Sequence, residues 1–280
     1  MAEIVQTIQR LRDLVAENRR NGKSLGLVPT MGALHMGHRR LMEQARREND
    51  LVVATIFVNP TQFDRQDDLD RYPRTMDDDV ALCRNVGVAA VFAPGAAEMY
   101  PQEQLTWVDV PALGEHLCGP GRPGHFRGVA TVVMKLLQMA QPDRAYFGEK
   151  DAQQLAIIKR MVRDLNVPVE IVPVPTVRES DGLAISSRNR HLTPEERELA
   201  AVLPSALFAA RDRVLAGERS VGRLASGNES LFPGAVRLEY FSCVDPETLQ
   251  PVSTIHSTVL IAAAIWVGRT RLIDNVTVSP

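Results

Sequence analysis

The chain has 280 residues, 45% of them hydrophobic, and a formal net charge of −2. That length holds one large domain or two modest ones, and the composition is that of an ordinary soluble globular protein. Near-balanced charge advertises no polyanion-binding surface, and three scattered cysteines build no disulfide framework.

The opening MAEIVQTIQRLRDLVAENRR carries acidic residues early, unlike a secretory signal. Its Ile4, Ile8, Leu11 and Val15 step by four, three and four, which predicts an amphipathic helix ended by Asn21-Gly22. Leu25 to His38, LGLVPTMGALHMGH, reads as a buried strand, a glycine turn and the start of a helix whose Leu41, Met42 and Ala45 share one side. Backbone N–H groups and the positive end of a helix dipole meet an anion well in such a place. His35 and His38 stand at its mouth and suit phosphate oxygens or a developing charge. A zinc protease would need Glu directly after the first histidine, and Cys83, Cys118 and Cys243 are too far apart for a binding knuckle.

Leu51 to Val58 reads as a second buried strand, ended by Asn59-Pro60. Asn59 and Gln62 then lie just beyond a strand's C-terminal end, where open α/β sheets bind ligands. An asparagine before proline is commonly only a turn former, whereas the Gln62 amide offers donors and acceptors to a small hydroxy acid. An acid-rich connection, Asp64 to Asp79, precedes a short helix and a third strand, Val88 to Phe92. Leu117 to Gly128, LCGPGRPGHFRG, reads as a surface loop; its Arg122, His125 and Arg127 also suit a mobile flap over an anion. A helix follows over Val129 to Ala140, then a strand at Ala145 to Phe147.

Tyr146 to Asp151, YFGEKD, repeats the strand–turn–helix logic. Gly148 allows close backbone approach, Lys150 supplies a point charge for phosphates, and Asp151 either caps the helix or meets a ribose hydroxyl. Gln154 lies one turn on, on the side of Lys150. Val169 to Val174 is a further strand. Alternating strands and helices predict a parallel sheet covered on both faces. Composition changes after Pro175, so residues 1–175 are expected to form one domain and 176–280 a smaller α+β one. Within the latter, ISSRN (Ile185 to Asn189) is a polar loop, and Thr193-Pro194-Glu195-Glu196 is a helix start carried onward by Leu199, Leu203, Ala206 and Ala210. The longest apolar run, Val259 to Val267, is too short to span a bilayer, so a cytoplasmic protein without membrane contact is expected.

Five stretches in series, PTMGALHMGH, FVNPTQF, RPGHFRGV, YFGEKD and SSRN, resemble the signatures of the pantoate–β-alanine ligases, members of the nucleotidylyltransferase superfamily with the His-x-Gly-His motif. The resemblance covers almost the whole chain. It implies a Rossmann-like first domain, a C-terminal lid and usually a homodimer, while the balanced charge and the short apolar run lead to the expectation of no nucleic-acid or membrane partner. It implies that ATP adenylates pantoate and that the amine of β-alanine then displaces AMP. The histidine motif alone also fits an enzyme that leaves the nucleotide on its product; FVNPTQF and RPGHFRG favour the ligase.

By the same resemblance Met31, Gly32, Ala33, Leu34, His35, Met36, Gly37 and His38 line the ATP site, and His38 is assigned as proton donor. Gly148, Glu149, Lys150, Asp151 and Val177 hold the nucleotide, and Ile185, Ser186, Ser187 and Arg188 close over it. Gln62 and Gln154, with Asn59 beside them, serve pantoate. Catalytic roles fall to His35, His38, Lys150, Ser186, Ser187 and Arg188. Magnesium is expected with ATP, with Asp78 or Asp79 as carboxylates that would approach it; an acidic run before a helix is more often a solvated helix start, and no metal ligand is assigned. Three positions depart from the family: Met36 replaces an acidic residue, Ile185 a methionine and His191 a tyrosine.

Overall fold

The computed structural model describes residues 2–228 and 232–280. Among these described residues, nine strands form two sheets. The larger is wholly parallel, in the order β1 (Glu3–Val5), β4 (Ala90–Phe92), β3 (Leu51–Thr55), β2 (Leu25–Val28), β5 (Arg144–Gly148), β6 (Glu170–Val174). The smaller is an antiparallel meander of β7 (Val236–Val244), β8 (Val259–Val267) and β9 (Thr270–Val278). Helices α1 (Ile8–Arg20), α2 (Met36–Glu48), α3 (Gln66–Arg71), α4 (Met76–Val86), α5 (Ala96–Met99), α6 (Pro111–Gly114), α7 (His125–Ala140) and α8 (Ala152–Asp164) connect the parallel strands or follow them. Helices α9 (Pro194–Ala200), α10 (Val202–Leu215) and α11 (Val221–Asn228) precede the meander.

Burial follows from strand periodicity. Val28, Val52, Ala54, Val91, Tyr146 and Val174 project to one face, where they meet Leu41, Met42 and Ala45 of α2 and Val80 and Cys83 of α4. Their neighbours Leu27, Val53, Ala90, Phe92 and Phe147 therefore project to the other face, and they too are buried. A sheet covered on both faces needs apolar strands throughout, and every residue of β2, β3 and β4 is buried.

The chain divides into two compact units. One comprises Met1–Pro111, Arg122–Glu149 and Ile157–Pro175; the other comprises Ala112–Gly121, Lys150–Ala156 and Thr176–Pro280. Two segments that precede residue 176 thus group with the C-terminal part. The core of the second unit gathers Leu203, Leu207, Ala210 and Val214 of α10 against Ile261, Ala263, Ile265 and Val267 of β8.

Three expectations are corrected. Ile4 belongs to an edge strand, not to a helix: Glu3–Val5 pairs with Ala90–Phe92. The helix begins at Ile8, because Thr7 adopts extended backbone and its hydroxyl accepts from the Arg10 N–H. The loop read over Leu117 to Gly128 is helical from His125, which makes His125 a buried residue rather than part of a flap, while Arg127 stays exposed. The helix opened by the capping box of Thr193 and Glu196 ends at Ala200, and α10 starts after Ala201.

Candidate functional site

In the first unit, β2 ends where Pro29 to Leu34 turn the chain into α2. Gly32 (φ +84°) and Ala33 (φ +51°) take left-handed backbone there, a conformation that favours glycine and is held in Ala33 only by its surroundings. The Asp79 side chain supplies that hold. Its Oδ2 accepts from the Ala33 N–H at 2.9 Å and its Oδ1 from the Leu34 N–H at 2.7 Å and the Thr75 hydroxyl at 3.1 Å. Asp79 is 2% exposed, and a Cβ on Gly32 would stand 2.9 Å from its Oδ2. This corrects the expectation for the acidic run: Asp77 and Asp78 are exposed, but Asp79 turns inward as a support for the histidine turn.

The turn delivers two imidazoles side by side, their centroids 4.1 Å apart. His35 is the N-cap of α2; its Nδ1 accepts from the Gly37 N–H at 3.1 Å, while His38 Nδ1 accepts from the His35 N–H at 3.3 Å. The reciprocal capping satisfies two helix-end donors and assigns the ring proton of each to Nε2. Both rings are half-buried, and Met36 is exposed. The arrangement presents imidazole N–H donors at a helix N-terminus, the disposition that suits a polyphosphate.

Beyond β3, Asn59 precedes and Gln62 ends a 3-10 turn at Pro60–Gln62. Asn59 is 1% exposed and fully used. Its Nδ2 donates to Gln62 Oε1 at 3.1 Å and to the Gly128 carbonyl at 3.2 Å, and its Oδ1 accepts from Tyr100 at 2.8 Å and Thr61 at 3.0 Å. Burial pushes the Tyr100 phenol up, so it stays a donor. With Gln62 Oε1 committed to Asn59, Gln62 Nε2 is turned towards the histidine turn and donates to Met31 Sδ at 3.0 Å. His125 completes the support, its Nδ1 lying 2.7 Å from the Gln62 carbonyl oxygen and its Nε2 2.9 Å from Arg122. The carbonyl can only accept, so Nδ1–H donates and Nε2 accepts from the guanidinium. Asn59 and His125 therefore orient Gln62 and are not themselves presented to a ligand. Sequence reasoning missed Asp79, Tyr100 and His125 in these supporting roles.

Gly148 ends β5 and Glu149–Asp151 forms a 3-10 turn before α8. In the second unit, Lys150 is largely buried with Nζ 3.8 Å from Asp151 Oδ1. Gln154 is half-buried, whereas its neighbour Gln153 is buried and clamps the Ala112–Gly121 segment. Gln153 donates to the carbonyls of Leu113 and His116 and accepts from the Cys118 N–H. Val177 and Ile185 are joined by an N–H to carbonyl bond of 2.9 Å, closing a short hairpin. Ser186 caps the following 3-10 turn by accepting from the Arg188 N–H, and Ser187 and Arg188 are half-buried within it. Among the described residues no group of three His, Cys, Asp or Glu side chains could hold a metal ion, and no helix is long and apolar enough to cross a membrane.

A family model described as pantoate-beta-alanine ligase matches residues 3–277. The pantothenate synthetase of Moorella thermoacetica is 54% identical over 276 residues, which is 98% of this chain and 98% of its own length. That of Sinorhizobium medicae is 52% identical over 284 residues, with 99% and 96% covered. Among solved structures, pantothenate synthetase from Thermus thermophilus aligns with a TM-score of 0.93 at 48% identity, covering 99% of this chain and 100% of that one. Pantoate-β-alanine ligase from Francisella tularensis, complexed with β-γ ATP and β-alanine, aligns with a TM-score of 0.81 at 33% identity, covering 99% and 97%.

Proposed function

The chain belongs to the pantoate–β-alanine ligase family, and from that premise we propose that it joins (R)-pantoate to β-alanine using ATP, with release of AMP and pyrophosphate. One observation carries the assignment to this chain's own residues. The Gln62 amide, fixed by Asn59, is directed at Met31 of the turn that bears His35 and His38. A reader for a hydroxy acid therefore stands beside a cradle for phosphates.

In the first step a pantoate carboxylate oxygen attacks the α-phosphorus of ATP and pyrophosphate leaves. The resemblance assigns Gln62 to pantoate and β-alanine, and it assigns Gln154 to pantoate. His35 and His38 place N–H donors where charge builds on the departing pyrophosphate, a stabilisation that acts most in the transition state. His38 as a proton donor is the family's assignment; its primary role here is charge stabilisation, because forming the acyl-adenylate chiefly requires help for the departing pyrophosphate. Gly148 to Asp151 and the backbone at Val177 hold the nucleotide, Lys150 and Arg188 add cationic charge, and Ser186 and Ser187 add hydroxyl donors. In the second step the β-alanine nitrogen attacks the pantoyl carbonyl carbon, the amine loses a proton, and AMP leaves with the bridging oxygen.

Magnesium accompanies ATP as a counter-ion of its phosphates. Asp79 does not suit it as a ligand, because three protein donors occupy its carboxylate. The same proposal includes cytoplasmic residence, in keeping with three free, buried cysteines, and a C-terminal lid and homodimer, which rest on the resemblance.

The test is pantoate labelled with oxygen-18 in its carboxylate. The adenylate route delivers one labelled oxygen into AMP for each pantothenate formed. Label appearing in inorganic phosphate instead would mean an acyl phosphate and would overturn the mechanism.

A further inference from the structure

Within the second unit, one dipeptide of β9 touches two segments that lie far apart in sequence. The Asn275 Nδ2 donates to the Lys150 carbonyl at 2.9 Å. The Asn275 carbonyl accepts from Arg178 Nη2 at 3.2 Å. The preceding Asp274 grips the same guanidinium through both oxygens, at 2.6 Å and 3.0 Å, and also accepts from the Asn275 N–H. The Asp274 side chain is wholly buried.

Arg178 is not a bystander to the polar loop that follows it. It sits in the hairpin closed by Val177 and Ile185, donates to the Gly182 carbonyl at its turn, and pairs with Ala184 across the bridge. The hairpin delivers the chain to Ser186 directly. Lys150 and the Ser186–Arg188 segment are thus both referenced to consecutive residues of one strand, and that strand is hydrogen-bonded along its length to β8.

We propose that Asn275 and Asp274 are positioning residues that set the distance between Lys150 and the Ser186–Arg188 segment for a triphosphate. The inference rests on the assignment of those two segments to ATP made above. Charged and hydroxyl donors from separate segments must match the spacing of phosphate oxygens, and small displacements cost rate steeply. A bidentate Arg–carboxylate pair fixes orientation as well as distance, so the hairpin has little freedom to rotate. Asn275 then ties the lysine to the same reference point. Its amide contributes no contact to substrate in this reading.

The experiment compares full-length wild type with Asn275→Ala and Asn275→Ser, the latter keeping a hydroxyl too short to reach Lys150, and with Thr277→Ala, an exposed position on the same strand, as control. ATP affinity is measured by calorimetry with a non-hydrolysable analogue, and KM for pantoate by steady-state assay. The expected result is ATP affinity weakened about three- to tenfold in both Asn275 variants, the size of one lost hydrogen bond. Pantoate KM should stay unchanged and Thr277→Ala should match wild type. Unchanged ATP affinity in either folded variant would overturn the proposal. So would an equal loss for ATP and pantoate, or failure of both variants to fold, since each indicates a role in general stability. Wild type that binds no ATP analogue would instead overturn the functional reading beneath it.

Discussion

A buried carboxylate can hold a turn in shape through main-chain N–H groups, and Asp79 does so for the histidine turn through those of Ala33 and Leu34. An amide in its place keeps one acceptor and turns an N–H donor on another N–H. Asp79→Asn should cost about 1–3 kcal/mol of stability, the penalty of a buried donor left unpaired. It should also slow adenylation in a single turnover about tenfold, because His35 and His38 inherit their positions from that turn. Denaturant melts and rapid-quench assays measure the two effects; a wild-type adenylation rate would show that the turn holds its shape without the carboxylate. His38→Ala and Lys150→Ala, by contrast, remove groups proposed above to stabilise charge, from half-buried positions. Each should cut the single-turnover rate of adenylate formation by about a hundredfold or more while circular dichroism stays unchanged. In the sequence, Asp77, Asp78 and Asp79 look alike. Only the helical rotation of α4 turns the third inward, and its main-chain partners in the histidine turn lie 46 and 45 residues away. The histidines were legible because strand, glycine turn and helix start are local signals, whereas the support for them is tertiary.

At the scale of elements, Gln62 depends on how closely α7 approaches the 3-10 turn at Pro60–Gln62. Gly128 of α7 makes that approach possible: a Cβ there would lie 2.3 Å from the Thr61 carbonyl oxygen and 2.8 Å from the Gln62 Cα. Those are backbone atoms, so the two elements must separate. Gly128→Ala should therefore destabilise the protein by about 1–3 kcal/mol, as overpacking does. It should raise KM for pantoate more than KM for ATP, since the Gly128 carbonyl and His125 also hold Asn59 and Gln62. Thermal melts and steady-state kinetics check this, and an equal rise in both KM values would contradict it. The glycine in RPGHFRG was visible in the sequence, but its reason was not, because loop composition hid a helix that starts at His125. The edge strand Glu3–Val5 was hidden differently. Ile4 stands four residues before Ile8 and mimics a helical step, and only the Thr7 cap and the pairing with Ala90–Phe92 separate strand from helix. The central strands were easy to read, since burial on both faces makes them continuously apolar.

For the whole molecule, the three cysteines report on integrity. All are free and buried. Burial, aided by the Asp79 carboxylate, pushes the Cys83 thiol up to about 12, and burial pushes Cys243 up to about 11. A value raised on folding contributes stability that is complete below the ordinary thiol pKa of about 8.5 and fades as pH rises through the folded value. Stability should therefore decline between roughly pH 9 and pH 12. At about pH 8, below that ordinary value, a thiol reagent should leave Cys83 and Cys243 of native protein unlabelled and modify all three cysteines after denaturation. Rapid labelling of native Cys83 would contradict its burial. At this scale the five motifs in order were enough to point to the family, because the chemistry sits in short contiguous stretches. The division into units was less legible: Ala112–Gly121 and Lys150–Ala156 join the C-terminal part through contacts such as those of Gln153, which no local pattern announces.

The most direct measurement is product analysis with ATP, magnesium, (R)-pantoate and β-alanine, omitting each in turn. Pantothenate, AMP and pyrophosphate should form in equal amounts over many turnovers, and only in the complete mixture. ADP and phosphate, or a nucleotide left joined to the product, would contradict the adenylate route.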